Sequence, residues 1–297
     1  MSGPILVLGS AGQVGSELMI RQSHATGPIV GFDRDTVDIC DAAQMRDLVA
    51  STAPDLVINA AAYTAVDKAE SERDLAFAIN RDGPANLASA CDAAAIPLLH
   101  ISTDYVFDGA SAAPYRETDP VAPMGVYGAS KLAGEEAVRA RLAHHVILRT
   151  AWVFSAHGAN FVKTILRLSA ERPELRVVDD QFGCPTPAAA IAETLLAIAA
   201  KLRRGGASWG TYHYAGAPAT SWCRFARAIV ETAARHRGRI IPVVPIATSE
   251  YPTAAKRPAN SALDCTKIAA TFGLAQPDWA RGLGDVIDTL LVKGVAA

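Results

Sequence analysis

Tyr127 stands four residues before Lys131 in the run Val-Tyr-Gly-Ala-Ser-Lys-Leu-Ala-Gly-Glu that covers 126–135. On a helix this spacing puts phenol and ammonium on one face, with their Cβ atoms about 5–6 Å apart. A free phenol, with a pKa near 10, is a poor acid at neutral pH, but an adjacent cation favours phenolate and can bring it towards ~7. At about 1.36 kcal/mol per unit, that shift asks for roughly 4 kcal/mol. The pair is therefore expected to act as a proton donor and its tuning cation. Surface pairs share the spacing, so the surrounding elements decide.

Gly9-Ser-Ala-Gly12-Gln13-Val14-Gly15 follows a first apolar strand and opens a helix. That is where a dinucleotide pyrophosphate is cradled, since glycines allow the tight turn, close backbone approach and close helix packing. Asp33, eighteen residues past Gly15 and at the end of a second strand, is placed to accept hydrogen bonds from the adenosine ribose. Arg34 could instead meet a 2′-phosphate. The two neighbours point opposite ways, and the reading is NADH with possible use of NADPH.

Strand-like runs at 4–8, 28–32, 56–59, 96–101 and 146–149 alternate with helical periodicity at 14–23, 42–50, 75–94 and 127–142. This is the pattern of a Rossmann-type α/β fold, a doubly wound parallel sheet. The predicted dinucleotide-binding domain covers residues 1–150. Beyond it, proline and glycine clusters loosen the pattern, and 151–297 is predicted to be mainly a smaller mixed α/β substrate lobe. Helices are expected at 188–202, 222–236 and 280–291, the alanine-rich first one packing back on the sheet. Thr103 and Asp104 continue from the carboxyl end of the fourth strand, the edge where such sheets place ligands. Thr103 could bond a substrate oxygen beside Tyr127 or simply cap the strand.

The 297 residues carry a formal charge of -2 with acidic and basic groups interspersed, so there is no electrostatic footprint for nucleic acid. Five scattered cysteines without C-x-x-C spacing read as thiols of a reducing compartment. No apolar stretch reaches the ~18 residues that would span a bilayer. The first strand starts too early for a signal peptide. These features predict a cytoplasmic protein with a small-molecule partner and no membrane association. Seven histidines, of which only His144 and His145 are adjacent, offer no convincing metal-ligand spacing.

Together, the glycine turn, Thr103, Tyr127 and Lys131 resemble the extended short-chain dehydrogenase/reductase family. Blocks at 59–70, 102–109, 149–154, 180–186 and 257–261 extend the resemblance over nearly the whole chain, to the branch that reduces dTDP-4-dehydrorhamnose. The resemblance implies hydride transfer from NADH or NADPH to C4 of a dTDP-4-keto-6-deoxy sugar. Tyr127 would protonate the alkoxide, Lys131 would hold the nicotinamide ribose and tune the phenol, and Thr103 would orient the carbonyl. It also implies that Gly12, Gln13 and Val14 line the pyrophosphate, that Asp33, Asp38 and Ile39 flank the adenosine, and that Ala62, Tyr63 and Thr64 cover the cofactor. Asp104 and Trp152 match sugar-contacting positions, with core packing an alternative for Trp152. Asn160, Lys163 and Arg257 are candidates for the substrate diphosphate, although each could be a solvated surface residue. Some members of the branch dimerise through magnesium held by carboxylates. One of these matches Glu17, but the apparent counterpart of another is Ala189, so a homodimer without a bridging metal is expected.

Three other functions compete. A related dehydratase needs an Asp-Glu pair after the threonine, and Asp104 is followed by Tyr105. A nucleotide-sugar epimerase stays open, as does a non-catalytic dinucleotide-binding regulator like the β subunit of methionine adenosyltransferase. The intact Thr103, Tyr127 and Lys131 set favours catalysis.

Overall fold

The computed structural model describes residues 3–23, 27–206 and 208–292. Its central sheet contains β1 (Ile5–Leu8), β2 (Ile29–Phe32), β3 (Leu56–Asn59), β4 (Leu98–Thr103) and β5 (His145–Thr150). A sixth strand, Gly210–His213, lies beside β5. All neighbours are parallel, in the order β2, β1, β3, β4, β5, Gly210–His213. The strand order reverses between β1 and β3, which opens a crevice at their carboxyl ends.

Helices cover both faces, which is why the strands read as continuous Val, Ile and Leu rather than as alternating patterns. Ile5 and Val7 of β1 join a layer with Val14, Leu18, Ile191 and Leu195. Leu6 and Leu8 point the other way, to Met45, Val49, Leu87 and Val138. Helix α1 (Gln13–Ile20) and the Ala188–Arg203 helix thus lie on one face. The other carries α2 (Ala42–Thr52) with the Gly83–Ala93 and Val126–Arg141 helices. Each fully buried aliphatic side chain contributes about 1.5–3 kcal/mol.

A second core is built by the helices Phe161–Glu171, Trp222–Arg237 and Trp279–Val292 around Phe154, Val162, Phe225, Ile229, Leu283 and Ile287. Leu175–Val178 and Val243–Ile246 pair there as a two-stranded parallel ribbon.

Two expectations need correction. The helix expected over 75–94 is interrupted: Arg73–Phe77 passes into a wide turn at Ala78–Asp82 before Gly83–Ala93 begins. Pro84 has no N–H to offer the preceding turn, so the regular ladder cannot continue through it. β4 runs on to Thr103, so that residue is the last of the strand rather than lying beyond an end at Ile101.

Candidate active site

The glycine turn joins β1 to α1 at the switch point. Gly9 has φ +81°, and a Cβ there would lie 2.6 Å from the Ala61 nitrogen; at Gly15 it would lie 2.0 Å from the Gly9 carbonyl oxygen. No side chain caps the start of α1 at Gly12. Bare first-turn N–H groups beside a cradle that a Cβ would fill form a fitting seat for a pyrophosphate. Val14 contributes only backbone there, because its side chain is core. Gln13 reaches across to the second lobe: its Oε1 accepts from Asn160 Nδ2 at 3.0 Å, and its Nε2 donates to the Val153 carbonyl at 3.5 Å.

Asp33 follows β2, and its Oδ1 accepts from the Asp35 N–H and the Thr36 hydroxyl, both at 3.1 Å. Arg34 points into solvent with its side chain 96% exposed. Asp38 is exposed and its Oδ1 accepts from the Cys40 N–H, whereas Ile39 is buried against Gly83. Ala62 is partly buried and Thr64 exposed. Tyr63 between them is anchored, its N–H and carbonyl clamped by the Asn80 amide at 2.8 and 3.0 Å and its hydroxyl donating to Glu72 at 2.6 Å. Asn80 also donates to the Ser130 hydroxyl, tying this loop to the Val126–Arg141 helix.

Thr103, Tyr127 and Lys131 come together at the end of β4. The helix can lie this close because of its glycines: a Cβ at Gly128 would sit 2.2 Å from the Tyr105 carbonyl oxygen, and one at Gly134 2.0 Å from that of Asn80. The Thr103 hydroxyl donates to Asp104 Oδ1 at 3.0 Å, accepts from the Tyr105 N–H at 3.2 Å and faces the Tyr127 phenol. The expected lowering of the phenol is not found. Burial pushes Tyr127 up to about 12; the Thr103 hydrogen bond opposes this, and the Asp104 carboxyl adds to it. Lys131 instead donates to the Ile101 carbonyl at 2.7 Å, and burial brings its ammonium down to about 8. Asp104 is carried up to about 7 by burial, against the hydroxyls of Ser261 and Thr103.

The other candidates divide. Trp152 has φ +46°, in the left-handed region that costs a non-glycine residue about 1–3 kcal/mol. It stacks on Trp222 with ring centroids 3.4 Å apart and lies over Gly183, joining the sheet's edge to the second lobe. Asn160 caps the Phe161–Glu171 helix and spends its amide on Gln13 and the Ser155 carbonyl, so it bridges the lobes beside the glycine turn. Lys163 lies partly buried on that helix's first turn. Arg257 grips Asp67 with both terminal nitrogens, at 3.2 and 2.7 Å. A crevice beside this pair is lined by Tyr105, Met124, Tyr127, Ala255, Lys256 and Pro258.

Several participants escaped the sequence reading. Glu135 is fully buried in a fork with Arg149 of β5, Oε1 to Nε at 2.8 Å and Oε2 to Nη2 at 2.7 Å; Arg139 reaches the same Oε2 at 2.6 Å. Its signal was a second step of four residues, from Lys131 to Glu135, after the step from Tyr127 to Lys131. Asn80 and Asp67 gave none, because their partners are 17 and 190 residues away. Glu17, a possible metal ligand by resemblance, is ion-paired with Arg21. Among the described residues no cluster of three or more His, Cys, Asp or Glu could hold a metal, and no helix is long and apolar enough to cross a membrane.

A parallel sheet with a glycine cradle at its switch point and a Thr, Tyr and Lys set on the same edge defines a nicotinamide-dependent oxidoreductase of the extended short-chain class. The family model described as RmlD substrate binding domain matches residues 3–292. The chain belongs to the dTDP-4-dehydrorhamnose reductase family. It is 42% identical over 292 residues to the dTDP-4-dehydrorhamnose reductase of Sinorhizobium fredii, covering 98% of each chain. Against the reductase of that name from Escherichia coli K12 the identity is 42% over 296 residues, with 96% of this chain and 97% of the relative covered. The dTDP-4-dehydrorhamnose reductase structure from Clostridium acetobutylicum superposes with TM-score 0.89 at 37% identity, covering 97% of this chain and 99% of that one. That from Bacillus anthracis, in complex with NADP, gives TM-score 0.88 at 36% identity, with 96% and 99% covered.

Proposed function

We propose that this protein reduces the C4 keto group of dTDP-4-dehydro-L-rhamnose with NADH or NADPH, giving dTDP-L-rhamnose. The observation that carries the reading is the placement of the Thr103 and Tyr127 hydroxyls side by side on the sheet edge that holds the glycine cradle, with the buried Lys131 ammonium on the Ile101 carbonyl of the same strand. The backbone of Gly9, Gly12, Gln13, Val14 and Gly15 would hold the pyrophosphate, Asp33 the adenosine ribose, and Asp38 and Ile39 the adenosine side. Ala62, Tyr63 and Thr64 would cover the cofactor. When bound, the reduced nicotinamide supplies the hydride. Tyr127, kept protonated by its burial, gives its proton to the oxygen that becomes negative, and Lys131 steadies the phenolate left behind.

Asp104 and Trp152 are assigned to the sugar, and Lys163 and Arg257 to the diphosphate, with Arg257 passing from Asp67 to the substrate. Asn160 serves as the bridge that sets the second lobe against Gln13. Relatives matched along nearly the whole chain carry the name of a reductase, which favours reduction over the epimerase and regulatory-subunit readings. The free thiols of Cys91, Cys184, Cys223 and Cys265 are buried and suit the cytoplasm. A homodimer without bridging metal is proposed, and sedimentation with and without EDTA checks it. The deciding experiment mixes purified protein, reduced cofactor and freshly made keto-sugar nucleotide. Loss of reduced-nicotinamide absorbance with no partner protein supports the reading, and no loss with either cofactor refutes it.

A further inference from the structure

The Thr103 hydroxyl has one proton to give and two lone pairs to offer. The Tyr105 N–H takes one lone pair at 3.2 Å, while Asp104 Oδ1 lies 3.0 Å from the same oxygen. An ionised carboxylate can only accept, so it claims the Thr103 proton; a neutral carboxyl can donate, and then that proton is released for another acceptor. Asp104 is 2% exposed, and burial outweighs the hydroxyls of Ser261 and Thr103 and the backbone N–H groups of Asp104 and Tyr105 that favour its charged form. The groups facing it are Tyr127 from the Val126–Arg141 helix, Tyr105 from its own turn, the Cys184 thiol and the Ser261 hydroxyl. None of these is a cation.

We propose that Asp104 is a positioning residue that sets the direction of the Thr103 hydroxyl. As the neutral acid it donates to Thr103 and frees the Thr103 proton for the substrate's keto oxygen; as the carboxylate it takes that proton back. The inference rests on the reductase reading. Two donors, Tyr127 and Thr103, then meet the developing oxyanion in the first state and only Tyr127 in the second. Burial places the changeover near pH 7, and the active form is the one below it. Losing one oxyanion donor typically costs about 10²–10³ in turnover.

The test is the pH dependence of kcat at saturating substrate and cofactor. The parent should fall at least about tenfold through an alkaline limb near pH 7. Asp104→Asn, whose amide donates at every pH, should lose that limb and keep only the one near pH 8 where Lys131 discharges. Thr103→Val should show the same displacement at a lower rate, and Thr103→Ser should retain the parent limb. A limb unmoved in Asp104→Asn overturns the inference. If that variant does not fold, an unmoved limb in Thr103→Val does so. A parent that turns over without any limb below pH 8 also overturns it while leaving the reductase reading intact. A parent with no turnover at any pH overturns both.

Discussion

Lys131 is the clearest case of stability given up for chemistry, and replacing it with Met should separate the two. Its side chain is 2% exposed, its ammonium donates to the Ile101 carbonyl at 2.7 Å, and burial, opposed by the Glu135 carboxylate, lowers it from 10.5 to about 8. That lowering corresponds to roughly 3 kcal/mol of destabilisation at neutral pH. Met has a similar unbranched length and no charge to desolvate, but it leaves the Ile101 carbonyl without its donor, at about 1 kcal/mol. The net expectation for Lys131→Met is a gain of about 2 kcal/mol, or roughly 3 °C in Tm. The pH dependence follows from the direction of the shift. Below pH 8 folded and unfolded chains both hold the proton and the full cost is present. Between 8 and 10.5 the unfolded chain keeps a proton the folded one has released, so the parent grows more stable as pH rises; above 10.5 the cost is gone. Turnover should fall by at least about 10²-fold, because no cation then faces the phenolate. Urea unfolding of parent and variant at about pH 7 and about pH 10.5 measures this. A variant less stable than the parent at neutral pH, or an equal gain at both pH values, would refute the reasoning.

Tyr127→Phe should retain cofactor affinity, read by quenching of reduced-nicotinamide fluorescence, while turnover drops about 10²–10⁴-fold; a near-normal rate removes the phenol from its role. Glu135→Ala strands the buried Arg149 guanidinium and should cost about 3–5 kcal/mol in denaturant unfolding, whereas an effect below about 1 kcal/mol would mean the fork is not structural. Glu135 is held below its ordinary range, so its contribution is full above the unfolded value and is lost as pH falls through the folded one; the parent should therefore lose stability in acid more steeply than the variant. Arg257→Ala breaks the fork to Asp67 and should raise KM at least about tenfold while kcat changes far less, so an unchanged KM places Arg257 outside the site.

The local chemistry was legible in the chain because spacing carried it. Gly9, Gly12 and Gly15 and the four-residue step from Tyr127 to Lys131 are short-range patterns with few structural solutions. The five strands were short apolar runs, four of them buried nearly throughout and β2, at the sheet's edge, only in part. Gly210–His213 was missed because it is four residues long, includes the polar Thr211 and His213, and gains its place only by pairing with β5. The break at Ala78–Asp82 was masked by helical periodicity on both sides, although Pro84 was visible. Arg257 and Asn160 show the other kind of limit. Their residue types suit a phosphate, but the ion pair to Asp67 and the bond to Gln13 join positions 190 and 147 residues apart, and no local pattern encodes them.

The same helix also explains how a carboxylate can sit behind the catalytic cation without cancelling it. Tyr127, Lys131, Glu135 and Arg139 recur at steps of four along Val126–Arg141, so a lone Glu135 would be the natural partner of Lys131. Such a pair would neutralise the ammonium that must meet the phenolate. Here both oxygens of Glu135 are claimed by Arg149, and one of them again by Arg139. Lys131 is left to the Ile101 carbonyl, while Glu135 still favours its charged form against the desolvation that would strip it. The cluster of Lys131, Glu135, Arg139 and Arg149 therefore keeps an excess of positive charge. The phenol itself is held protonated by burial until the sugar oxygen becomes basic enough to take its proton.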